Sequence, residues 1–449
     1  MHVRLRFVLC VLAAALLLAA PSALASGFAV SEQGAKASGQ AVAFVARADD
    51  ASAVWYNPAA ITKLEGNAAS LGFSLVFLGD TTFTSRMDDV DPVLFEGGRF
   101  DMIDNTATPA HAFFVYHFED SPWSLGFGVT TPFGLVTEWG ESFDGRFSAR
   151  KSDLAVLVYN LNAAVDVGGG WSLAFGLDYY DVTLEEFSRN ISLAEFDEFT
   201  EPFANLSGDG DTTTWNVAAH FRNDDWAFGL SYRNDASIDI DGRFAVSNVP
   251  AGDLPSPPFP AGVSWASQLA TMPAAGVLDL PAIWQVGFAW LGTENWEFEL
   301  DFQMISWSDF QRLPVDLADR TLLMDDFVVR EDWKDTTTVR LGGSYTFNEQ
   351  HQLRFGIYTD ETAVPTHRLR PSIPDSDRVG YTLGYGFTSA SKKFGLDFYW
   401  LRIEADTVST GPSDFDGDVS AMLDEGVLWG TYETSIDLVG LTANWRFGD

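Results

Sequence analysis

The chain has 449 residues, with 63 acidic and 27 basic side chains and a formal net charge of −36. This acidic excess argues against a nucleic-acid partner, because binding to a phosphate backbone needs clustered Lys and Arg. A hydrophobic fraction of 46% and an aromatic fraction of 14% exclude a disordered acidic tail. The mean hydropathy of +0.00 is too low for a protein of membrane-spanning helices. The chain therefore folds, and the fold must accommodate 36 Phe and 15 Trp residues.

The N-terminus has the pattern of an export signal. Two arginines precede an apolar run over residues 7–20, and small residues at positions 23–25 provide a cleavage site. The run is shorter than the ~20 residues that span a bilayer. We therefore expect residues 1–25 to be a signal peptide and the mature chain to begin at Ser26, with a formal net charge of −38 because two basic residues are removed. The sole cysteine, Cys10, leaves with the signal, which excludes disulfides in the exported protein.

Apolar and polar side chains alternate along most of the mature chain. From Trp296 to Met304, every second side chain is apolar and those between are acids or an amide. This pattern is typical of strands with one apolar and one polar face. Many such segments end on aromatic residues, as the interfacial girdles of an outer-membrane barrel require. We count about fourteen of them, and an even number is typical of a bacterial single-chain barrel.

The connections between these segments alternate in length. Tight turns lie near residues 119–121, 168–170, 223–225, 292–294, 348–350 and 389–391. Long connections cover roughly residues 80–108, 132–151, 189–211, 241–280, 308–332, 362–375 and 409–431. Short turns are typical of the periplasmic side of a barrel and long loops of the outside. The sequence thus predicts a 14-stranded antiparallel transmembrane β-barrel over residues 67–449, with both chain ends in the periplasm.

Residues 26–66 do not fit a strand. They are rich in Ala and Gly, which suits backbone packed in a confined space. We predict that they form an N-terminal hatch inside the lumen. The alternative, a flexible periplasmic tail, is disfavoured because the segment carries Phe44, Trp55 and Ile61, which need to be buried.

Several motifs resemble one known family. The stretch DDASAVWYNPAA at residues 49–60 looks like the hatch motif of the FadL/TodX (OmpP1) family of outer-membrane transporters for long-chain fatty acids and hydrocarbons. Further matches follow in the same order, at residues 280–284, 305–310, 333–335 and 373–378. The resemblance covers essentially the whole mature chain.

The resemblance implies a monomeric barrel that takes up hydrophobic compounds without a cofactor or an energy source. Ligand is caught in a groove between extracellular loops, enters a pocket touched by the hatch, and leaves sideways at a kinked third strand. Asn57, Pro58 and Ala59 are then expected to flank that lateral gate. Phe28 is expected to lie where the hatch N-terminus meets the pocket.

The resemblance does not give the position of the kink in the third strand. Pro132 and Gly134 lie beyond the third strand as the alternation defines it. We therefore expect the kink at Gly126 or Gly128.

Large apolar residues in the long loops are candidates for ligand binding, because they are costly in an external loop unless they pack or bind something. The candidates are Phe196, Phe199 and Phe203 in one loop and Trp265, Leu269 and Met272 in the next. Alternatively, the two loops cover each other as a lid, and both descriptions can hold.

The charge of the ligand stays open. A carboxylate ligand would favour a cationic contact, for which Arg146, Arg150, Arg378 and Lys334 are candidates. The low number of basic residues makes a neutral or aromatic hydrocarbon equally credible.

Acidic clusters in the proposed external loops have two interpretations. The clusters lie at residues 88–91, 325–326 and 414–418, and they are either solvated or bind divalent cations that bridge to lipopolysaccharide. The spacing around Gly417 does not match a Ca²⁺ loop, so we predict no metal site. Expected partners are a hydrophobic ligand, outer-membrane lipid and lipopolysaccharide, and the barrel-assembly machinery.

Two other functions are weaker alternatives. A general porin would need an open lumen without a hatch. An outer-membrane lipase would need a nucleophile and a base, and the five histidines after residue 25 have no Gly-x-Ser-x-Gly partner. We therefore predict no catalytic residues.

Overall fold

The computed structural model describes residues 27–193, 200–256, 258–292 and 295–447. The expected signal peptide and the candidate residues Phe196 and Phe199 lie outside this part of the chain. The strands are, in chain order, β1 (Asn67–Ser85), β2 (Gly98–Asp101), β3 (Thr106–Ala107), β4 (Ala110–His117), β5 (Trp123–Glu138), β6 (Lys151–Gly168), β7 (Trp171–Asn190), β8 (Phe203–Arg222), β9 (Trp226–Arg233), β10 (Ala236–Ser247), β11 (Met272–Leu280), β12 (Ile283–Trp290), β13 (Trp296–Ile305), β14 (Arg312–Leu317), β15 (Phe327–Arg330), β16 (Thr336–Asn348), β17 (His351–Asp360), β18 (Arg378–Thr388), β19 (Phe394–Ala405), β20 (Val408–Thr410) and β21 (Gly430–Phe447). Short α-helices are α1 (Ala35–Ser38), α2 (Ala53–Tyr56), α3 (Trp265–Gln268) and α4 (Val419–Asp424).

Fourteen of these strands form a closed antiparallel ring. The order around the ring is β1, β4, β5, β6, β7, β8, β9, β12, β13, β16, β17, β18, β19 and β21, which pairs again with β1. The predicted 14-stranded barrel is thus confirmed. The remaining strands extend the wall at the end that carries the long connections. Among the described residues, no helix is long and apolar enough to cross a membrane.

The outer surface of the ring carries an apolar band. Large hydrophobic side chains point outward along every long strand, such as Leu71 at 58% exposed and Phe175 at 53%. In water these side chains would lose their hydrophobic stabilisation, whereas in lipid hydrocarbon they keep it. The ends of the chain meet at the tight-turn side, where Asn67 pairs with Phe447.

Residues 27–66 lie inside the ring, and we refer to them as the hatch. Phe44, Val45 and Ile61 are at most 1% exposed, and they belong to a segment that is buried almost throughout. Glycines on the inner face of the barrel let the hatch backbone approach closely. A Cβ at Gly229 would overlap the carbonyl of Val45, and one at Gly342 would overlap the carbonyl of Gln40. Hatch and wall therefore pack backbone against backbone.

Two carboxylates on the inner face of β13 hold one turn of the hatch. Asp301 accepts hydrogen bonds from the backbone N–H groups of Phe44 and Val45, at 2.8 and 3.0 Å. Glu299 accepts from the N–H groups of Ala46 and Arg47, at 2.6 and 3.1 Å. Both carboxyl groups are 1% exposed, so these hydrogen bonds form away from water. The turn is thereby fixed to the wall opposite the first strands.

Replacing Asp301 with Ala tests this anchor. Two buried backbone N–H groups lose their acceptor, at a cost of about 1–3 kcal/mol each. We expect the hatch to loosen, so that purified protein in planar bilayers shows channel openings that the wild type lacks. The matched control is Asp316→Ala, because Asp316 is exposed on β14. Equal conductance of the Asp301 variant and the wild type, with normal heat-modifiable mobility on gels, would show that the anchor is dispensable.

Candidate functional site

An outer cavity of about 390 Å³ opens toward the long connections. Its wall is mostly aliphatic and aromatic, and it includes Leu154, Val182, Phe187, Leu206, Phe310 and Val329. These side chains come from β6, β7, β8 and β15 and from the connection after β13. Such a lining suits an apolar ligand rather than a hydrated one.

An inner cavity of about 380 Å³ lies beside the hatch N-terminus. Apolar residues of the wall line one part of it, among them Val76, Leu78, Val156, Ile403 and Leu438. Charged residues of the hatch, β16, β17 and β18 line another part. The inner cavity is thus amphipathic.

Phe28 is the one described hatch residue that borders both cavities, together with Leu135, Leu154 and Ile373 of the wall and loops. The Phe28 side chain is 5% exposed. Its ring lies 4.9 Å from that of Trp307, 5.7 Å from Trp333 and 5.9 Å from Phe310, between centroids. Edge-to-face packing of this kind stabilises aromatic clusters beyond their buried area. The N-terminus of the hatch is therefore held at the boundary between the cavities.

The barrel wall is interrupted beside the inner cavity. β4 pairs with β5 only up to the Ala112–Val129 pair. Farther along β5, the hatch takes the place of β4: Val30 N–H donates to the Pro132 carbonyl at 2.7 Å, and Gly134 N–H donates to the Phe28 carbonyl at 3.0 Å. Residues 107–109 on one side of this interruption and residues 133–137 on the other both line the inner cavity. We refer to it as the wall opening.

A β-bulge in β5 lies at the wall opening. Its pairing with β6 shifts register between Thr130 and Phe133, and Pro132 has no N–H to donate to a neighbouring strand. A bulge of this kind bends the strand and increases its twist. The side chain of Gln33 fixes the hatch at this point, because it both donates to the Thr131 carbonyl and accepts from the Thr131 N–H.

The expected position of the kink, at Gly126 or Gly128, was wrong. β5 extends to Glu138, so Pro132 and Gly134 lie inside the third strand of the ring and not beyond it. The bulge itself caused the error, because the extra residue interrupts the alternation that defined the strand end. Gly126 instead makes room for the hatch, since a Cβ there would lie 2.7 Å from the Val54 side chain.

Asn57, Pro58 and Ala59 lie away from the wall opening. The Asn57 amide donates to the Val45 carbonyl at 2.9 Å and to the Ala219 carbonyl of β8 at 3.2 Å, and its oxygen accepts from the Ala59 N–H. Pro58 begins a 3₁₀ turn that packs against β6, β7 and β8. The hatch residues that lie at the wall opening are instead those of the Phe28–Gln33 segment.

The loop candidates pack with one another. Trp265, Leu269 and Met272 are 3–4% exposed and share a cluster with Leu193 from the preceding loop. Residues of that cluster, including Phe244 and Val315, line the outer cavity, whereas Trp265, Leu269 and Met272 lie behind them. Phe203, at the start of β8, lines neither cavity. The loops thus form a wall of the cavity by covering each other.

The predicted cationic contacts are already engaged. Arg146 forms an ion pair with Glu201 at 2.9 Å, and Arg378 pairs with Asp360 at 2.9 Å. Arg150 donates to the Trp139 carbonyl and to Asn190, at 3.3 and 3.4 Å. Of the three, only Arg378 lines a cavity, the inner one.

Arg189 is a cationic contact that sequence reasoning missed. It lines the outer cavity, and its guanidinium has no hydrogen bond or ion pair among the described residues. The sequence predicts that residue 189 starts a long connection, whereas in the structure Arg189 belongs to the end of β7. There it pairs with Ala204 of β8, and the composition of the segment does not predict this pairing.

The acidic loop residues serve local structure. Asp418 caps α4 by accepting from the N–H groups of Ser420 and Ala421, and Asp414 accepts from the Gly411 N–H. Arg320 forms ion pairs with Asp325 and Asp326. In the described part of the chain, no group of three or more His, Cys, Asp or Glu residues is arranged to hold a metal ion.

Comparison with known proteins places this architecture in a family. Residues 16–447 match the outer membrane protein transport protein family (OMPP1/FadL/TodX). The chain is 26% identical to a long-chain fatty acid transport protein of Salmonella typhi over 445 residues, covering 92% of this chain and 95% of that protein. It is 26% identical to outer membrane protein P1 of Haemophilus influenzae strain Rd over 476 residues, covering 97% and 98%.

Solved structures share the fold. A FadL homologue of Pseudomonas aeruginosa superposes with a TM-score of 0.76 at 18% identity, covering 94% of this chain and 100% of the other. The Pseudomonas putida toluene transporter TodX gives a TM-score of 0.68 at 16% identity, covering 92% and 98%. The chain is an outer-membrane β-barrel protein and belongs to the OMPP1/FadL/TodX family of outer membrane transport proteins.

Proposed function

We propose that the protein is a passive transporter that moves hydrophobic compounds across the outer leaflet of the outer membrane. One observation carries the proposal: an apolar outer cavity and an amphipathic inner cavity both border Phe28 of the hatch, and the inner one adjoins a break in the barrel wall. Ligand enters the outer cavity from the loops, passes Phe28 when the hatch N-terminus shifts, and leaves through the wall opening. Asn57, Pro58 and Ala59 support this motion by holding the rest of the hatch in place.

A sideways exit fits the energetics of an apolar ligand. Each CH₂ group left in water forgoes about 0.8 kcal/mol of stabilisation. A route that ends in water would therefore be unfavourable for a long chain, whereas a route that ends in lipid hydrocarbon keeps the chain buried. The polar lipopolysaccharide leaflet blocks direct entry from outside, so the protein is needed for the first part of the route. No energy source is required.

The ligand class includes amphiphiles with an anionic head. The Salmonella typhi relative is named as a long-chain fatty acid transport protein, and one structural neighbour as a toluene transporter. The apolar lining of the outer cavity suits either ligand. Arg189 favours the fatty acid, because a guanidinium that borders this cavity and has no ion pair among the described residues can bind a carboxylate.

The two alternatives have less support. A general porin requires a water-filled lumen, whereas here the hatch is packed against the wall. A lipase requires a nucleophile beside an accessible base: His111 and His220 are buried, against Thr442 and the Ala46 carbonyl of the hatch, and the other three histidines after residue 25 have no Gly-x-Ser-x-Gly partner. We therefore propose a transporter without enzymatic activity that acts as a monomer in lipopolysaccharide-containing membrane after insertion by the barrel-assembly machinery.

Replacing Phe28 with Ala tests the partition between the cavities. Loss of a packed Phe ring costs roughly 3–5 kcal/mol, so the hatch N-terminus should detach from Trp307 and Trp333. We expect a red-shifted tryptophan emission and about tenfold weaker binding of an apolar ligand such as hexadecane. Phe203→Ala is the matched control, because Phe203 lines neither cavity. Unchanged emission and affinity in Phe28→Ala would argue against the partition.

Deleting Pro132 tests the wall opening. The deletion removes the extra residue of the bulge and restores regular pairing of β5 with β6. We expect ligand affinity to stay within a factor of about two, while uptake by intact cells falls at least tenfold, because a β5 without the bulge loses the bend that it has at the opening. Deletion of Gly140, in the connection after β5, is the control. Normal uptake after the Pro132 deletion would exclude exit at this site.

Replacing Arg189 with Gln decides the charge of the ligand. A hydrogen bond to a charged group contributes about 1.5–3 kcal/mol, which corresponds to roughly a tenfold or larger change in Kd. We expect weaker binding of oleate and unchanged binding of hexadecane, measured by tryptophan fluorescence. Arg402→Gln is the control, because Arg402 forms an ion pair with Asp437 on β21, away from both cavities. Equal oleate affinity in the Arg189 variant and the wild type would favour neutral hydrocarbons as cargo.

A further inference from the structure

One buried indole beside Phe28 lacks a hydrogen-bond partner. Trp307 begins the 3₁₀ turn Trp307–Asp309, directly after β13, and its side chain is 0% exposed. Its Nε1–H has no acceptor among the described residues. Buried donors are nearly always paired, because an orphaned N–H loses its hydration without compensation. The unpaired donor therefore destabilises the state in which it is buried.

Two other buried indoles of the long connections are paired. Trp139, 1% exposed, donates from Nε1 to the Pro371 carbonyl at 3.0 Å. Trp333, 2% exposed, donates to the Glu331 carboxylate at 3.1 Å. Trp333 also packs against Trp307, with 4.9 Å between the ring centroids. This part of the fold thus provides acceptors for its indoles, except at Trp307.

Aromatic rings surround the Trp307 indole. The rings of Phe28, Phe133 and Phe310 lie 4.9, 6.0 and 6.3 Å from it, between centroids. Such surroundings offer a water molecule few of the polar partners that it needs. A ring face is itself only a weak acceptor for an N–H group. The donor therefore stays without a good acceptor while the hatch N-terminus is in place.

The hatch N-terminus covers the Nε1 edge of the indole. A Cβ built on Gly27 would lie 3.1 Å from Cζ2 and 3.2 Å from Cε2 of Trp307, and Cε2 is bonded to Nε1. The rings around the indole belong to both cavities: Phe310 lines the outer one, Phe133 the inner one, and Phe28 both. A shift of Gly27 and Phe28 would thus uncover the Nε1 edge beside the boundary between the cavities.

We infer that the indole N–H of Trp307 donates a hydrogen bond to the polar head of the ligand as it passes the hatch. The inference rests on the proposed function. A head-group oxygen that leaves water for an apolar passage loses its hydrogen bonds. The uncovered N–H replaces one of them and gains the acceptor that it lacks. The donor stabilises oxygen-bearing ligands, such as fatty acids and alcohols, and has no effect on a plain hydrocarbon.

Two ligands of equal chain length isolate this contact, because dodecanol carries an oxygen and dodecane does not. Uptake of each labelled compound is measured in washed, intact cells that express the full chain, relative to cells that lack it. Trp307→Phe keeps an aromatic ring and removes the N–H. We expect the ratio of dodecanol uptake to dodecane uptake to fall by a factor of about five or more, since the buried oxygen loses its donor.

An isostere separates the N–H group from the packing of the ring. Incorporation of 3-benzothienylalanine at position 307 replaces the N–H by sulfur and keeps the bicyclic shape. It should lower the ratio even if Trp307→Phe fails to fold. The same isostere at position 139 is the matched control, because Trp139 lines neither cavity and its N–H already has an acceptor. We expect the control to keep the wild-type ratio.

The outcomes separate this inference from the proposed function. A wild-type ratio in folded protein with the isostere at position 307 overturns the role of the N–H and leaves the transporter standing. An equal fall of the ratio with the isostere at position 139 overturns it as well, since the loss would then reflect stability. No uptake of either compound above that of cells lacking the protein overturns the proposed function itself.

Discussion

The need to fill the lumen governs this structure. A ring of fourteen strands encloses more space than its own inward side chains can fill, and an unfilled lumen would admit water. The hatch supplies the missing packing, but its irregular backbone brings N–H groups that need acceptors. Asp301 and Glu299 meet that need on one side, and the Thr442 hydroxyl, which accepts from the Ala35 N–H, does so on another. Acidic residues inside the barrel are thus part of the packing of the hatch.

The same requirement explains much of the negative charge. Acids in the loops cap turns and pair with arginines, as Asp418 and Asp326 do, while acids in the lumen bind backbone amides. A carboxylate is well suited to this role because it accepts several hydrogen bonds at once. Other buried carboxylates of the lumen pair with arginines, as Asp178 does with Arg233 and Asp397 with Arg354.

Regular features were predictable from the sequence, and irregular ones were not. Alternation from Trp296 to Met304 defines β13 because the wall separates lipid from lumen along its whole length. The bulge at Thr131 and Pro132 escaped the same reasoning, because an inserted residue looks like the end of a strand. Placing Phe28 near a pocket depended on resemblance to a family, and the structure puts it between two cavities. The pairing of Asn57 with β8 joins residues 162 positions apart, which local patterns do not encode.

One short segment of the hatch, residues 28–30, both covers the wall opening and lies at the boundary between the cavities. Residues 28–30 pair with β5 where β4 does not, and the same residues carry the Phe28 ring into the aromatic cluster. A shift of this segment breaks the pairing and removes the partition together, so the path between cavities and the path into lipid open in one step. The freed N–H of Gly134 and carbonyl of Pro132 then face the inner cavity, where they need new partners. The polar part of that cavity can supply them, whereas a wholly apolar cavity could not. In the proposed mechanism, the amphipathic lining of the inner cavity therefore serves the motion of the hatch as well as the binding of the ligand.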